Sequence, residues 1–227
     1  MTLECATCPV RDSAACAVLS EEDREKLARA GRTRELSRGE VLFAAGEADT
    51  VCATLLTGAL KVTSHDADGH ERILALIHPS GFIGEMFSPF TSHDVVALTK
   101  SRLCIFAKAD MEAALERHPE LLRALLRRSQ EDLHRSRMLL SLGSGRSAQD
   151  QVGGLLLALA QAASTSPCHP ARTFELPITR GEMASMLGLT IETVSRAITT
   201  LEREGTIRRN GTRGIELVDP ARLEDLV

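Results

Sequence analysis

Apolar positions change rhythm three times along this chain. The stretch "LSEEDREKLARAG" reads as one amphipathic helix, with Ser20 as N-cap and Gly31 as stop. From Thr33 to Phe106 the pattern shortens to "EVLF", "ATLL", "ALKVT" and "RILALI", with glycines at 39, 46, 58, 69, 81 and 84 between them. Short apolar runs bounded by turn residues predict an all-β unit. Asp68-Gly69, inside "HDADGHE", predicts a hairpin, and the whole reads as a small antiparallel barrel or roll.

Helical rhythm returns in "ADMEAALERHPELLRALLRRSQEDLHRSRMLLSLGSG". Leu122, Leu126, Ser129, Leu133, Ser136 and Leu140 recur at alternating steps of four and three, the spacing of a coiled-coil seam. The competing reading is an amphipathic helix packed on its own roll. Two serines weaken the seam, so a dimer built on it is marginal, as a switch requires. Gly143 and Gly145 in "GSGRS" predict a hinge, followed by a helical "AQDQVGGLLLALAQAA" and a turn-rich loop, "STSPCHPARTFELP".

The next stretch, "LPITRGEMASMLGLTIETVSRAITTLEREGTIRRNGTRGIELVD", is the most specific. Thr179 and Glu182 form a capping box, Ala184 and Leu187 continue an inner face, and Gly188 permits a tight turn. Thr190 caps a second helix with Val194, Ile198 and Leu201 inward, and Thr193 lies in its first turn beside the backbone-contacting candidates Thr179 and Thr190. Glu192, Ser195 and Arg196 occupy the other face near its N-terminal half, where a recognition helix meets base edges. Arg196 suits guanine O6 and N7, Glu192 a cytosine amine, and Ser195 a neighbouring base or phosphate. "GTIRRNGTRGIELV" predicts strand, Asn210-Gly211 turn and strand, a wing bringing Arg208, Arg209 and Arg213 to phosphates. The alternative is a surface ion pair between Glu192 and Arg196 on an ordinary helix.

Composition changes this picture in two ways. At 227 residues and 43 % hydrophobic content the chain suffices for one large or two ordinary domains, and its net charge of -4 leaves room only for a local basic face. The apolar run 155–163 is too short to span a bilayer, and no basic-then-apolar leader precedes it, so a cytoplasmic protein with no membrane partner is expected. In such a compartment six cysteines read as ligands or redox centres rather than disulfides. Cys5, Cys8 and Cys16 crowd into "CATCPVRDSAAC", and a fourth thiolate is available from Cys52, Cys104 or Cys168. Cys52, in "VCATLL", reads as a small buried hydrophobe, and Cys168, beside His169, as a surface thiol.

Roll, long helix and "GEMASMLGLTIETVSRAITTLEREGTI" resemble the Crp/Fnr superfamily of bacterial transcription regulators over essentially the whole chain. The E-x-x-S-R pattern of Glu192, Ser195 and Arg196 is similar to its FNR branch, which reads inverted repeats of the kind TTGAT, four bases, ATCAA. The resemblance implies a homodimer on palindromic double-stranded DNA, with RNA polymerase as the partner of activation. Oxygen-sensing members hold a 4Fe-4S cluster on three N-terminal cysteines and one from the roll. Carried over, the ligands are Cys5, Cys8, Cys16 and Cys104, the last in "TKSRLCIFAKADMEAAL", and cluster loss in oxygen releases the dimer. The C-x2-C-x7-C spacing departs from the five-residue gap of the enteric members.

The fold class expected is thus α+β, and no enzyme. It comprises a cysteine arm at 1–19, a cyclic-nucleotide-binding-like β-roll sensor at 20–108, a dimerisation helix at 109–143 and a winged helix-turn-helix domain at 144–227. Rival effectors keep the same fold. A cyclic nucleotide is suggested by Gly84-Glu85 in "GFIGEMF", but Lys100 and Arg102 replace the phosphate cradle expected there. A haem or nitric-oxide sensor would draw on His65, His70, His78, His93 or His118, each in a turn or polar stretch where solvation is the default. A structural zinc site would use the same cysteines without a redox response. Catalysis has no GxSxG, phosphate loop or HExxH to support it.

Overall fold

Strand alternation sorts the roll's side chains onto two faces, and the functional geometry follows from that sorting. The computed structural model describes residues 3–48, 50–69, 71–86, 88–142, 147–164 and 169–225. The predicted first helix is α1 (Glu21–Ala30), with Ser20 accepting from the Asp23 amide and Gly31 at its end. The eight roll strands are β1 (Gly31–Leu36), β2 (Val41–Phe43), β3 (Val51–Thr57), β4 (Leu60–His65), β5 (Glu71–Ile77), β6 (Phe82–Ile83), β7 (Asp94–Ala97) and β8 (Ser101–Ala107). They form two four-stranded sheets, ordered β1-β8-β3-β6 and β2-β7-β4-β5.

In β3 and β8 successive side chains point to opposite faces. Ala53, Leu55, Leu103 and Ile105 turn inward to a core with Leu36, Leu60 and Val95. Cys52 and Phe106 turn outward, onto Leu27 of α1 and the helices that follow the roll, with Cys16 and Cys104 packed at the edge of that cluster. The roll therefore carries an apolar outer face as well as a core, and the cysteine arm covers part of it.

The stretch expected as one dimerisation helix over 109–143 is two helices. They are α2 (Lys108–Arg117) and α3 (Pro119–Leu142), separated at His118. Pro119 has no amide to donate back into the preceding turn and is favoured in a first turn, so it ends one helix and begins the next. The expected hinge glycines, Gly143 and Gly145, lie outside the described residues. Beyond them α4 (Ala148–Ala163) starts with a capping box between Ser147 and Asp150.

The expected turn-rich loop carries a strand, β9 (Thr173–Glu175), whose buried Phe174 pairs with Ile215. It completes a three-stranded sheet, β10-β11-β9, with the wing strands β10 (Ile207–Asn210) and β11 (Gly214–Leu217). The helices α5 (Arg180–Leu187) and α6 (Ile191–Arg203) lie between, and α7 (Pro220–Glu224) follows. Contacts divide the chain into Met1–Ser64 with Ala75–Arg135, and His65–Leu74 with Ser136–Val227. Among the described residues no helix is long and apolar enough to cross a membrane.

Candidate functional site

Two constellations carry chemistry, one in each unit. In the second, Thr179 accepts from the Glu182 amide and Glu182 returns to the Thr179 amide, which fixes the start of α5. Gly188 sits at φ 66°, a left-handed turn in which a side chain would be strained. Thr190 then accepts from the Thr193 amide to start α6. Val194, Ala197, Ile198 and Leu201 are buried, which leaves Glu192 and Arg196 exposed and Ser195 half-buried on the opposite side. Its own backbone amide, the Thr190 hydroxyl and nearby Arg196 hold the Glu192 carboxyl below its ordinary range. It is therefore an acceptor at neutral pH. Arg180 donates to Ser195 Oγ at 3.3 Å, linking the two helices across the presented face.

The wing arginines are less available than the sequence suggests. Arg208 pairs with Glu216 across the hairpin at 2.9 Å, and Arg209 is clipped to Glu202 of α6. Arg213 lies half-buried before β11 and its carbonyl accepts from the Leu176 amide. The helix-turn-helix face is thus edged by arginines already balanced by carboxylates.

The second constellation is the cysteine arm. Cys5–Thr7 and Ala15–Val18 form short 3₁₀ turns that fold Cys5, Cys8 and Cys16 onto the outer face of the roll. Cys104 is central in its sheet, opposite Thr33 of β1 and Thr54 of β3. All four thiols line one cavity of about 50 Å³, walled otherwise by Arg24, Thr54 and apolar groups including Leu56, Phe82, Phe106, Leu121 and Leu125. Cys8, Cys16 and Cys104 also pack together against Val10, Ala14 and Leu56. None of the four is in a disulfide. Among the described residues no three His, Cys, Asp or Glu side chains are grouped to hold a metal ion, so the thiols surround a space rather than meeting at a point.

Two arginines clamp the arm's backbone. Arg24, buried on α1, donates to the carbonyls of Cys16, Ala17 and Leu19 at 3.2–3.3 Å. Arg11 donates to the Cys5 carbonyl at 3.2 Å and pairs with Glu21. Burial raises the thiols of Cys5, Cys16 and Cys104 above the ordinary range, and each neighbouring thiol adds to it. The shift is strongest at Cys104. Bare, these thiols stay protonated; gathering their thiolates in so dry a place needs a positive partner, which is what a metal centre provides. Four sulfur donors with no histidine or carboxylate in the cavity wall match the donor set of an iron–sulfur cluster.

Cys52 is fully buried and is not part of that wall. It packs beneath Gly84, where a Cβ would lie 2.9 Å from the Cys52 Cβ. Cys168 lies outside the described residues, as does His70. His78 departs from the solvated default: burial, with Arg135 adding to it, lowers its imidazole to about 4.

The nucleotide-like loop is closed on itself. Both carboxylate oxygens of Glu85 accept from Ser92, from its amide at 2.9 Å and its hydroxyl at 2.7 Å, and Lys108 donates to the Glu85 and Ser88 carbonyls. Lys100 is highly exposed and pairs with Glu35 at 3.5 Å. On α3 the seam leucines are bare: Leu122, Leu126, Leu133 and Leu140 are 46, 59, 50 and 70 % exposed. Ser129 is exposed and Ser136 half-buried. The helix packs on the roll through Leu121 and Leu125, and this row lies outside that contact.

Known proteins place the geometry in context. The Crp-like helix-turn-helix domain profile matches residues 150–226, and that of the cyclic nucleotide-binding domain matches 33–118. The chain is 31 % identical to the transcriptional activator protein FnrL of Cereibacter sphaeroides, over 96 % of this chain and 90 % of that protein. It is 34 % identical to the nitrogen fixation regulation protein FixK of Bradyrhizobium diazoefficiens, over 98 % and 93 %. The solved structure of FixK2 from Bradyrhizobium japonicum has the same fold, with a TM-score of 0.77 at 23 % identity, covering 86 % of this chain and 96 % of that one.

Proposed function

Because this chain belongs to the Crp/Fnr family of transcription regulators and is a DNA-binding activator rather than an enzyme, we propose that it senses oxygen through a 4Fe-4S cluster held by Cys5, Cys8, Cys16 and Cys104. The observation that carries this reading is the convergence of those four thiols, drawn from an N-terminal arm and a central roll strand, on one apolar cavity. When bound, such a cluster supplies oxygen-labile redox chemistry. The protein's part is to hold the arm. Arg24 and Arg11 fix its carbonyls, Val10 and Ala14 seal it against Leu56, and Leu121 and Leu125 bring the first turns of α3 to the same wall.

The arm and the dimer helix are thereby parts of one packed structure. With the arm held, α3 presents Leu122, Leu126, Ser129, Leu133, Ser136 and Leu140 to a second copy. With the arm released, the wall behind Leu121 and Leu125 opens and that presentation weakens. A seam holding two serines is poised for such a shift, since the free energy of metal-site formation can exceed the small gap between monomer and dimer.

A two-fold dimer offers two α6 helices to successive major grooves, and so reads a palindrome. In a TTGAT, four bases, ATCAA site, Arg196 donates to guanine O6 and N7, Glu192 accepts from the cytosine amine, and Ser195 touches a neighbouring base or phosphate. Thr179, Thr190, Thr193, Arg208, Arg209 and Arg213 contact the phosphate backbone. Bound there, in the cytoplasm, the dimer meets RNA polymerase and activates anaerobic or microaerobic genes.

The test is an ultraviolet-visible spectrum with iron and acid-labile sulfide analysis on protein purified without oxygen, before and after air. Expected are iron and sulfide in near-equal amounts and a broad charge-transfer band that bleaches in air and is missing in Cys104→Ala. Zinc in place of iron, or a colourless metal-free protein that binds its palindrome equally in both atmospheres, would remove the sensor chemistry and leave the DNA-binding activator.

A further inference from the structure

Beside the cavity wall, which meets the arm at Val10, Ala14 and Ala15, a polar link joins α3 to the arm at Ser13 and to the roll at Ser80. One side chain reaches both. Arg128 lies three residues beyond Leu125 and is 13 % exposed. Its Nη2 donates to the Ser13 carbonyl at 2.8 Å and to Ser80 Oγ, and its Nη1 pairs with Glu131 at 3.1 Å. Ser13 belongs to the loop between Cys8 and Cys16, and Ser80 to the turn between β5 and β6.

Ser80 is an unusual residue for its place. It is the only residue other than glycine with positive φ among those described, at 69°, and it is 6 % exposed. The Gly81 amide donates to the His78 carbonyl at 2.9 Å, which makes Ser80 the third residue of a turn where glycine is strongly favoured. A side chain held there against backbone preference points to a use for its hydroxyl. The use on view is to accept from Arg128.

We infer that Arg128 is the positioning residue that couples the cysteine arm to the dimer seam. The inference deepens the cluster reading, which supplies what moves the arm; the contact itself does not depend on metal. One guanidinium nitrogen has two hydrogens, and here one goes to the arm and the other to the roll. Together they set the rotation of α3 about its own axis, with Leu126 and Ser129 on either side of Arg128 in sequence turned outward. Release of the arm removes one acceptor from a largely enclosed cation, which then moves toward water and no longer fixes that rotation.

The test compares the parent chain with Arg128→Gln and with Ser80→Gly, which removes the roll acceptor while relieving the turn. Each is loaded with iron and sulfide without oxygen, and each is also prepared metal-free. Iron and sulfide content, the dimer dissociation constant by sedimentation, and hydrogen exchange at the Ala14, Ala17 and Leu19 amides are measured. Both variants are expected to take up the parent's iron. Arg128→Gln should exchange those amides about tenfold faster and bring the ratio of loaded to metal-free dimer constants to within about twofold of unity, with Ser80→Gly intermediate.

Linkage gives a readout independent of the cluster. In metal-free parent, raising the protein concentration should slow arm exchange as dimer forms, and in Arg128→Gln it should not. Arg128→Gln that keeps the parent ratio, or a parent whose arm exchange ignores concentration, overturns the inference. A parent lacking iron but showing this concentration dependence would overturn the cluster reading alone.

Discussion

Leu125 and Leu126 are neighbours in sequence, about 100° apart around α3, and one is buried while the other is exposed. Leu125 walls the cysteine cavity and is 8 % exposed, whereas Leu126 stands 59 % exposed in the row with Leu122 and Leu133. Cavity wall and exposed leucine row thus lie on adjoining faces of one helix, so on the proposed reading packing at the first bears on association at the second.

Substitution should separate those two faces. Leu126→Glu places a charge in the seam and should weaken dimerisation by about 2 kcal/mol or more, roughly thirtyfold, with unchanged far-ultraviolet dichroism. Leu125→Ala should instead lower unfolding stability by about 2–5 kcal/mol and loosen the arm. Sedimentation and thermal unfolding distinguish them; equal effects on both readouts would mean the faces are not distinct.

The two roll cysteines should behave differently. Cys104→Ala should abolish the oxygen-labile chromophore, while Cys52→Ala, outside the cavity wall, should keep it and lose only about 1 kcal/mol of stability from the small cavity left under Gly84. Loss of iron on changing Cys52 would reassign the fourth ligand.

On DNA, Arg196→Ala should cost about 1–3 kcal/mol and relax preference at one base pair of each half-site. Because Glu216 balances Arg208, Glu216→Gln should free that arginine for phosphate. Binding should then tighten on all sequences and the salt slope steepen by up to about one. Competition binding at several salt concentrations separates the base contact from the backbone contact.

His78 gives the fold a pH signature. Its folded pKa, near 4, is below the ordinary 6.5, so between those values the unfolded chain binds more protons. The contribution is complete above about pH 6.5 and is lost as pH falls toward 4. His78→Gln should flatten this part of the stability–pH curve, measured by urea unfolding of metal-free protein. A parallel parent and variant curve would show that His78 is solvated.

The sequence was most legible where local chemistry decides structure. The Ser20 cap, the Thr179–Glu182 box and Gly188 each act within a few residues, and each appears as read. The polar run Gly31–Leu36 gives little strand signal; it is a strand because β8 pairs with all six residues. Phe174 was hidden in a proline-rich loop for the same reason, its strand existing only by pairing with β11. The cysteine arm was legible as a donor set but not as a packed surface. Arg24 and Arg128 look like solvated helix residues until tertiary contact brings carbonyls to them. A signal for Ser80 was present in "HPSG", a turn with serine where glycine is easier, though its partner lies 48 residues away.

On the proposed reading, holding the arm on its four thiols strengthens the dimer. Sedimentation equilibrium under anoxia, on cluster-loaded and metal-free protein at matched concentrations, tests it directly. A dimer dissociation constant at least tenfold lower with the cluster, about 1.4 kcal/mol, and abolished by Cys104→Ala, is the predicted result. Equal constants in the two states, with iron and sulfide verified in the loaded sample, would contradict it.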